Sequence, residues 1–176
     1  GIAGYLVERT SGLGFDDYLE QNIFKPLGMT RSTFRQPLPE AFQADMSKGY
    51  KLGSDEPQPY ELINMTPAGA LASTGADMAT FMIAHLQNGA LGDARILSEE
   101  TAKLMHDTPL TLLPPLNRMV LGFYETNING RRAISHGGDT QYFHSNLHLF
   151  LDEGVGLYIS MNSTGKDGAA GPLRKG

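Results

Sequence analysis

The sequence predicts an α+β fold, with helices first and an antiparallel sheet last. Through the first part, apolar residues recur at three- and four-residue spacing, the period of a helix with one buried face. The last third carries four β-rich runs, Met119–Glu125, Arg131–Ser135, Phe143–Leu151 and Val155–Met161. Between them, Asn129-Gly130 and Asp152-Glu153-Gly154 are tight hairpin signals. Helices followed by consecutive antiparallel strands are the α+β pattern. We divide residues 1–176 into a mostly helical and irregular part, 1–118, and a sheet part, 119–162.

The elements follow in order. Ile2, Tyr5 and Leu6 share a helical face, and Gly12 supplies a C-cap. Phe15, Tyr18, Leu19 and Ile23 predict a second short helix over about 15–23, which Pro26 and Gly28 should stop. Residues 30–66 read as irregular, because Pro37, Pro39, Pro57 and Pro59 break any long element. A segment that long in a compact domain is usually functional or wraps around the body. Thr74 is an N-cap with Asp77 three residues on, and Met78, Phe81, Met82, His85 and Leu86 form the stripe of the helix that follows. Ser98-Glu99-Glu100 opens another helix to about His106, its carboxylates favoured by the helix dipole.

Composition narrows the function. The 176 residues carry 14 Lys+Arg against 19 Asp+Glu, a formal charge of −5, which argues against nucleic acid as the main partner. Zero cysteines exclude a disulfide framework, a thiolate metal cluster and a cysteine nucleophile. No apolar run approaches the roughly 18–20 residues that span a bilayer. The chain opens inside an apolar-periodic segment without methionine and closes on a Gly-Pro stretch, so we expect an excerpt of a longer protein.

Three arrangements could carry chemistry. His136, His144 and His148 form a histidine cluster, a conceivable three-histidine zinc site, although no carboxylate is placed to complete it. Ser163-Thr164-Gly165-Lys166 fits S-x-x-K, but a serine activated by that lysine belongs at a helix N-terminus, and this one follows a strand. Ser135-His136-Gly137-Gly138-Asp139 stands where a strand should end. Its glycines let a ligand approach closely and leave N–H groups free to donate, although a plain turn has the same local sequence.

Together the strings resemble a known family. Gly4-Tyr5-Leu6-Val7-Glu8-Arg9-Thr10-Ser11-Gly12, Ile23-Phe24-Lys25-Pro26-Leu27-Gly28-Met29 and Pro67-Ala68-Gly69-Ala70-Leu71-Ala72-Ser73-Thr74 through Asp77-Met78 are similar to segments of the class C β-lactamase and penicillin-binding-protein-like serine hydrolases. His136-Gly137-Gly138 is similar to that family's third motif, K-T-G or H-x-G. The resemblance implies a β-lactamase/transpeptidase-like fold and a serine acyl-hydrolase of lactamase, D-Ala-D-Ala carboxypeptidase or esterase type, working through an acyl-enzyme without cofactor or metal. It implies His136, Gly137, Gly138 and Asp139 as catalytic-site residues, with the Asp139 N–H as one of two oxyanion donors. It implies Gly69 and Gln141 as substrate contacts.

The departures matter as much. The nucleophilic S-x-x-K and the Y-x-N should lie before Gly1, and no Y-x-N occurs in these residues. The C-terminal helix that packs on the sheet should begin after Gly176. Gln141-Tyr142 stands where relatives often have Pro-Gly. Histidine at 136 offers only a partial positive charge at neutral pH where a lysine would be a fixed cation, which leans toward a peptidase or esterase. We therefore expect an inactive fragment whose partner is a small-molecule or peptide acyl substrate, prone to homo-oligomerise or exchange segments. The family is periplasmic or secreted, with a cytoplasmic site left open. The competing expectations are a non-catalytic binding domain of the same fold and a zinc-binding β-domain.

Overall fold

The computed structural model describes residues 1–53, 56–107 and 119–175. Parts of two sequence expectations, at 54–55 and 108–118, and the final Gly176 lie outside the described residues. Helix α1 (Ile2–Ser11) ends as expected, with Gly12 left-handed at φ 73° and its N–H on the Glu8 carbonyl. Helix α2 (Phe15–Leu19) does not stop at Pro26. It passes through a wide turn, Glu20–Phe24, in which the Lys25 N–H reaches back to the Glu20 carbonyl, and continues as α3 (Lys25–Leu27). Pro26 is carried inside this continuing helix, directly after the wide turn in which the hydrogen-bond spacing widens to five residues. Gly28, left-handed at φ 66°, is the true stop.

The wrap-around segment is irregular apart from α4 (Glu40–Gln43) and isolated bridges, one of which joins Tyr50 to Ser163. Helix α5 (Thr66–Gly69), a single turn begun at a proline, was not expected. It packs on α1 so closely that a Cβ at Gly4 would lie 2.6 Å from Pro67. Helix α6 (Gly75–Leu86) starts as its cap predicts, Thr74 accepting the Asp77 N–H. A two-residue hairpin, β1 (Ala90–Leu91) with β2 (Ala94–Arg95), and α7 (Glu99–Asp107) complete the helical side.

Five antiparallel strands follow in sequential order: β3 (Met119–Val120), β4 (Phe123–Ile128), β5 (Arg131–Asp139), β6 (His144–Phe150) and β7 (Val155–Met161). The expected first run is two strands, because Leu121-Gly122 turns the chain, Gly122 at φ 81°. Strand β5 continues four residues past Ser135, so His136-Gly137-Gly138-Asp139 is strand and not turn. Pairing with β6, from His136 opposite Leu147 to Asp139 opposite His144, holds those glycines extended despite their weak strand preference.

Register sorts the sheet into two faces, since side chains alternate along a strand and paired residues share a face. Ile134, Leu147 and Leu149 face α6 and form the main core with Met78, Met82, Val120 and Phe123. Gly156 lets α6 approach: a Cβ there would meet Met82 Sδ at 3.0 Å. The other side of α6 presents Ala84 to a second cluster of Phe24, Leu27 and Met29. The opposite face of the sheet is covered by α8 (Ala170–Lys175), which packs on β6 and β7. This corrects the expectation that the C-terminal helix begins only after Gly176. Pro172 lies in the first turn of α8, where proline is tolerated.

Candidate functional site

Strand β4 pairs with β5 only as far as Tyr124 opposite Ser135. Beyond that point, His136 to Asp139 are paired on the β6 side alone. The side their N–H groups face follows from the hairpin. The Thr140 N–H donates to the Phe143 carbonyl at 2.9 Å, toward β6. Successive N–H groups of a strand point to opposite sides, so those of Asp139 and Gly137 point to the open edge. All four residues are exposed. His136 shares its face with Leu147, and its ring lies 5.8 Å from that of Tyr124. A Cβ at Gly138 would come within 2.9 Å of Ser145 Oγ, whereas one at Gly137 would meet only ordinary contacts.

The opposite face of the same strand is polar and tied down. The Asp139 carboxylate accepts the His144 Nδ1–H at 2.7 Å and, through its other oxygen, the Arg174 guanidinium. Arg174 Nη1 also donates to the carbonyls of Gly138 and Ser145, each at 2.9 Å. Partial burial pulls the Asp139 carboxyl upward, but the bonds and charges of His144 and Arg174 outweigh it and hold it below the usual range. His144 Nε2 lies 3.1 Å from Thr164 Oγ1, and Asn146 Nδ2 bonds both His148 Nε2 at 2.9 Å and the Arg174 carbonyl at 3.1 Å. Burial pushes His148 downward, favouring its neutral form.

This placement separates the three histidines. His144 and His148 lie on the α8 face, while His136, paired with Leu147, lies on the α6 face. They do not converge, and no group of three potential metal ligands occurs among the described residues. The local S-x-x-K does not assemble either. Ser163 Oγ donates to the Lys51 carbonyl at 3.3 Å and accepts the Gly165 N–H at 3.1 Å, and the helical turn after it, Lys166–Gly168, is capped by Gly165.

The hairpin beyond the motif is held by a residue that sequence reasoning missed. Glu61, on the wrap-around segment, accepts the Thr140 hydroxyl at 2.6 Å and the N–H groups of Gln141 at 2.8 Å and Tyr142 at 3.3 Å. Gln141 is thus an exposed turn residue fixed through its backbone. Between this segment and Phe143 lies an open cavity of about 250 Å³, lined by Leu38, Met46, Lys48 and Tyr60 among others. Gly69 ends α5, where a Cβ would meet Ile63 at 3.3 Å, and it makes no polar contact with β5 among the described residues. Arg174 was also missed, because a single arginine in a Gly-Pro stretch carries no local signal.

Comparison with known proteins bears on the family and the fold. The model of the family described as Beta-lactamase matches residues 1–175. The chain is 34% identical over 131 residues to penicillin-binding protein 4 of Amycolatopsis lactamdurans, covering 69% of this chain and 33% of that protein. The octameric penicillin-binding protein homologue from Pyrococcus abyssi superposes with a TM-score of 0.74 at 24% identity, over 94% of this chain and 37% of its own. A class C β-lactamase superposes with a TM-score of 0.76 at 14% identity, over 97% and 52% of the two chains. The chain spans about a third of the length of the curated relatives it matches. With the α+β architecture, the sequential antiparallel sheet and the match over residues 1–175, the chain belongs to the beta-lactamase family.

Proposed function

We propose that the whole protein is a serine acyl-hydrolase acting through an acyl-enzyme, and that this chain contributes one wall of its pocket. The observation that carries the reading is the open edge of β5, where the Asp139 N–H points outward beside an exposed His136. When a nucleophile adds to a carbonyl, negative charge grows on oxygen, and a fixed backbone N–H stabilises that charge without reorganising. Asp139 supplies that donor in this reading. His136, on the same strand, supplies a hydrogen-bonding and proton-transfer group toward the substrate. In this reading, which follows the resemblance, the nucleophile is the serine of an S-x-x-K outside these residues, Ser163 following a strand and not opening a helix of the kind that motif needs. Gly137 leaves the edge low enough for an acyl group to lie along it, and Gln141 borders its far end. Gly69 is carried as a substrate contact from the resemblance alone, as is a periplasmic or secreted location.

Kinetics on the full-length protein test this. His136→Ala should lower kcat/KM for an ester or D-peptide substrate by about 10–10³-fold without a matching loss of Tm. His148→Gln, on the far face, should cost much less. Equal effects of the two would remove His136 from the site. The 176-residue chain alone should leave a chromogenic cephalosporin and a p-nitrophenyl ester at background, and a stoichiometric adduct on Ser163 would overturn that. Ile2, Tyr5 and Leu6 expose more than half their surface along α1, so the lone chain should also self-associate in sedimentation.

A further inference from the structure

The turn that follows the open edge is gripped by a residue about 80 positions earlier in the chain. Strand β5 ends at Asp139 and β6 begins at His144. Between them, the Thr140 N–H donates to the Phe143 carbonyl at 2.9 Å, and the Phe143 N–H donates to Thr140 Oγ1 at 3.0 Å. The next two amides leave the hairpin and donate to Glu61, Gln141 at 2.8 Å and Tyr142 at 3.3 Å. The Thr140 hydroxyl donates to the same carboxylate at 2.6 Å. One side chain thus takes three donors of the turn. Its own backbone is pinned two residues on, where the Gln36 amide donates to the Ile63 carbonyl at 3.0 Å and accepts the Ile63 N–H at 2.6 Å. Tyr142 adds a second contact with the same wrap-around segment. A Cβ at Gly49 would lie 2.7 Å from Tyr142 Cβ, so the bare glycine lets the tyrosine seat there. The Tyr142 hydroxyl reaches Gln58 Oε1 at 3.4 Å, and the Gln58 N–H closes back on the Gly49 carbonyl at 2.8 Å.

We infer that Glu61 is a positioning residue of the proposed site, which fixes the direction of the Asp139 N–H by holding the turn beyond it. Site competence is thereby tied to the order of the wrap-around segment. The inference rests on the proposed acyl-hydrolase reading and adds what governs its oxyanion donor. Asp139 stands on the last rung of the β5–β6 ladder, opposite His144. Element ends open locally at small free-energy cost, and a clamp on the adjoining turn raises that cost. A backbone N–H stabilises growing charge only while it is already aimed. A displacement on the order of 1 Å is enough to cost about 10²-fold in rate. Glu61 acts through the turn and not on the substrate.

The test uses the full-length protein with p-nitrophenyl acetate. Glu61→Ala should lower kcat by about tenfold and leave KM within about twofold, the split expected when an interaction made in the transition state is lost. Glu61→Gln, which keeps one acceptor oxygen, should recover part of that loss. Phe24→Leu, in the second apolar cluster, is the control: it should lower Tm at least as far and leave kcat unchanged. A kcat in Glu61→Ala equal to the native value overturns the inference. So does a loss of kcat that Phe24→Leu reproduces. If Glu61→Ala does not fold, Glu61→Gln decides by the same comparison. If the native protein leaves the ester untouched, the acyl-hydrolase reading fails, and NMR of the Asp139 amide decides the positioning. Its resonance should then move in Glu61→Ala and stay in Phe24→Leu, and a resonance unmoved in both overturns the inference.

Discussion

The two faces of the sheet are held by different physics. Toward α6 lie Ile134, Leu147 and Leu149, packed on Met78, Met82 and Phe123. Toward α8 lie Asp139, His144, Asn146 and His148, bonded to one another and to Arg174. The first face gains from removing apolar surface from water and is insensitive to direction. The second depends on each donor meeting an acceptor, so it fixes the position of particular backbone groups. Among the described residues, two buried side-chain atoms find no hydrogen-bond partner, His148 Nδ1 and Arg174 Nε, and both lie on that second face. The apolar face supplies the stability, and the polar face aims the edge at which we place the chemistry.

The largest expected effect breaks the apolar face. Leu149 is fully buried at the centre of the core, so Leu149→Ala should destabilise the full-length protein by about 2–5 kcal/mol in denaturant unfolding.

Next comes the polar pair buried beside that core. His85 Nδ1 and His106 Nε2 are 3.0 Å apart, both nearly inaccessible, against Phe81 and Phe123. Burial, helped by the neighbouring His106 ring, pushes His85 down to about 4. The folded protein keeps His85 neutral where the unfolded chain takes up a proton. Stability from this group is therefore complete above about pH 6.5 and is lost as pH falls toward about 4. The loss should be on the order of 3 kcal/mol, read as Tm against pH, and His85→Phe should flatten that acid limb.

Arg174→Met tests the polar face itself. It removes two hydrogen bonds to carbonyls and one to a carboxylate, and should cost about 1–3 kcal/mol in unfolding. It should also let the Asp139 carboxyl rise toward its usual range, observable by NMR titration. Unchanged titration would show that His144 alone holds Asp139 down.

The smallest effect concerns the hairpin. Glu61→Gln keeps one acceptor of the clamp and should cost about 1 kcal/mol. Its clearer readout is faster hydrogen exchange at the Gln141 and Tyr142 amides, whose N–H groups now end on the carboxylate. Exchange unchanged there would assign the hairpin's order to its own Thr140–Phe143 bonds.

Local patterns were legible wherever a residue's neighbours in sequence are also its neighbours in space. The Gly12 cap, the Thr74–Asp77 start of α6 and the Asn129-Gly130 turn all hold, because caps and turns close over three or four residues. Of the two residues expected to end α2, Gly28 does, while Pro26 is carried within the helix behind a wide turn that no spacing rule announces. The three-histidine arrangement, held only as a competing reading, is decided by pairing. Spacing puts His144 and His148 on one face, but only the register against β5 shows that His136 lies on the other.

The sequence by itself determined the α+β order, the boundaries of α1, α6 and α7, the strands β6 and β7 and the family strings, all carried by short-range periodicity and capping chemistry. Only the tertiary structure decided that β5 runs on through Gly137 and Gly138, that β4 stops short beside it, and that Arg174 and Glu61 grip its end. Each of those depends on which segments meet across tens of residues. Strand pairing and burial choose such partners by summed contact over a whole face, and no local window of sequence contains that sum.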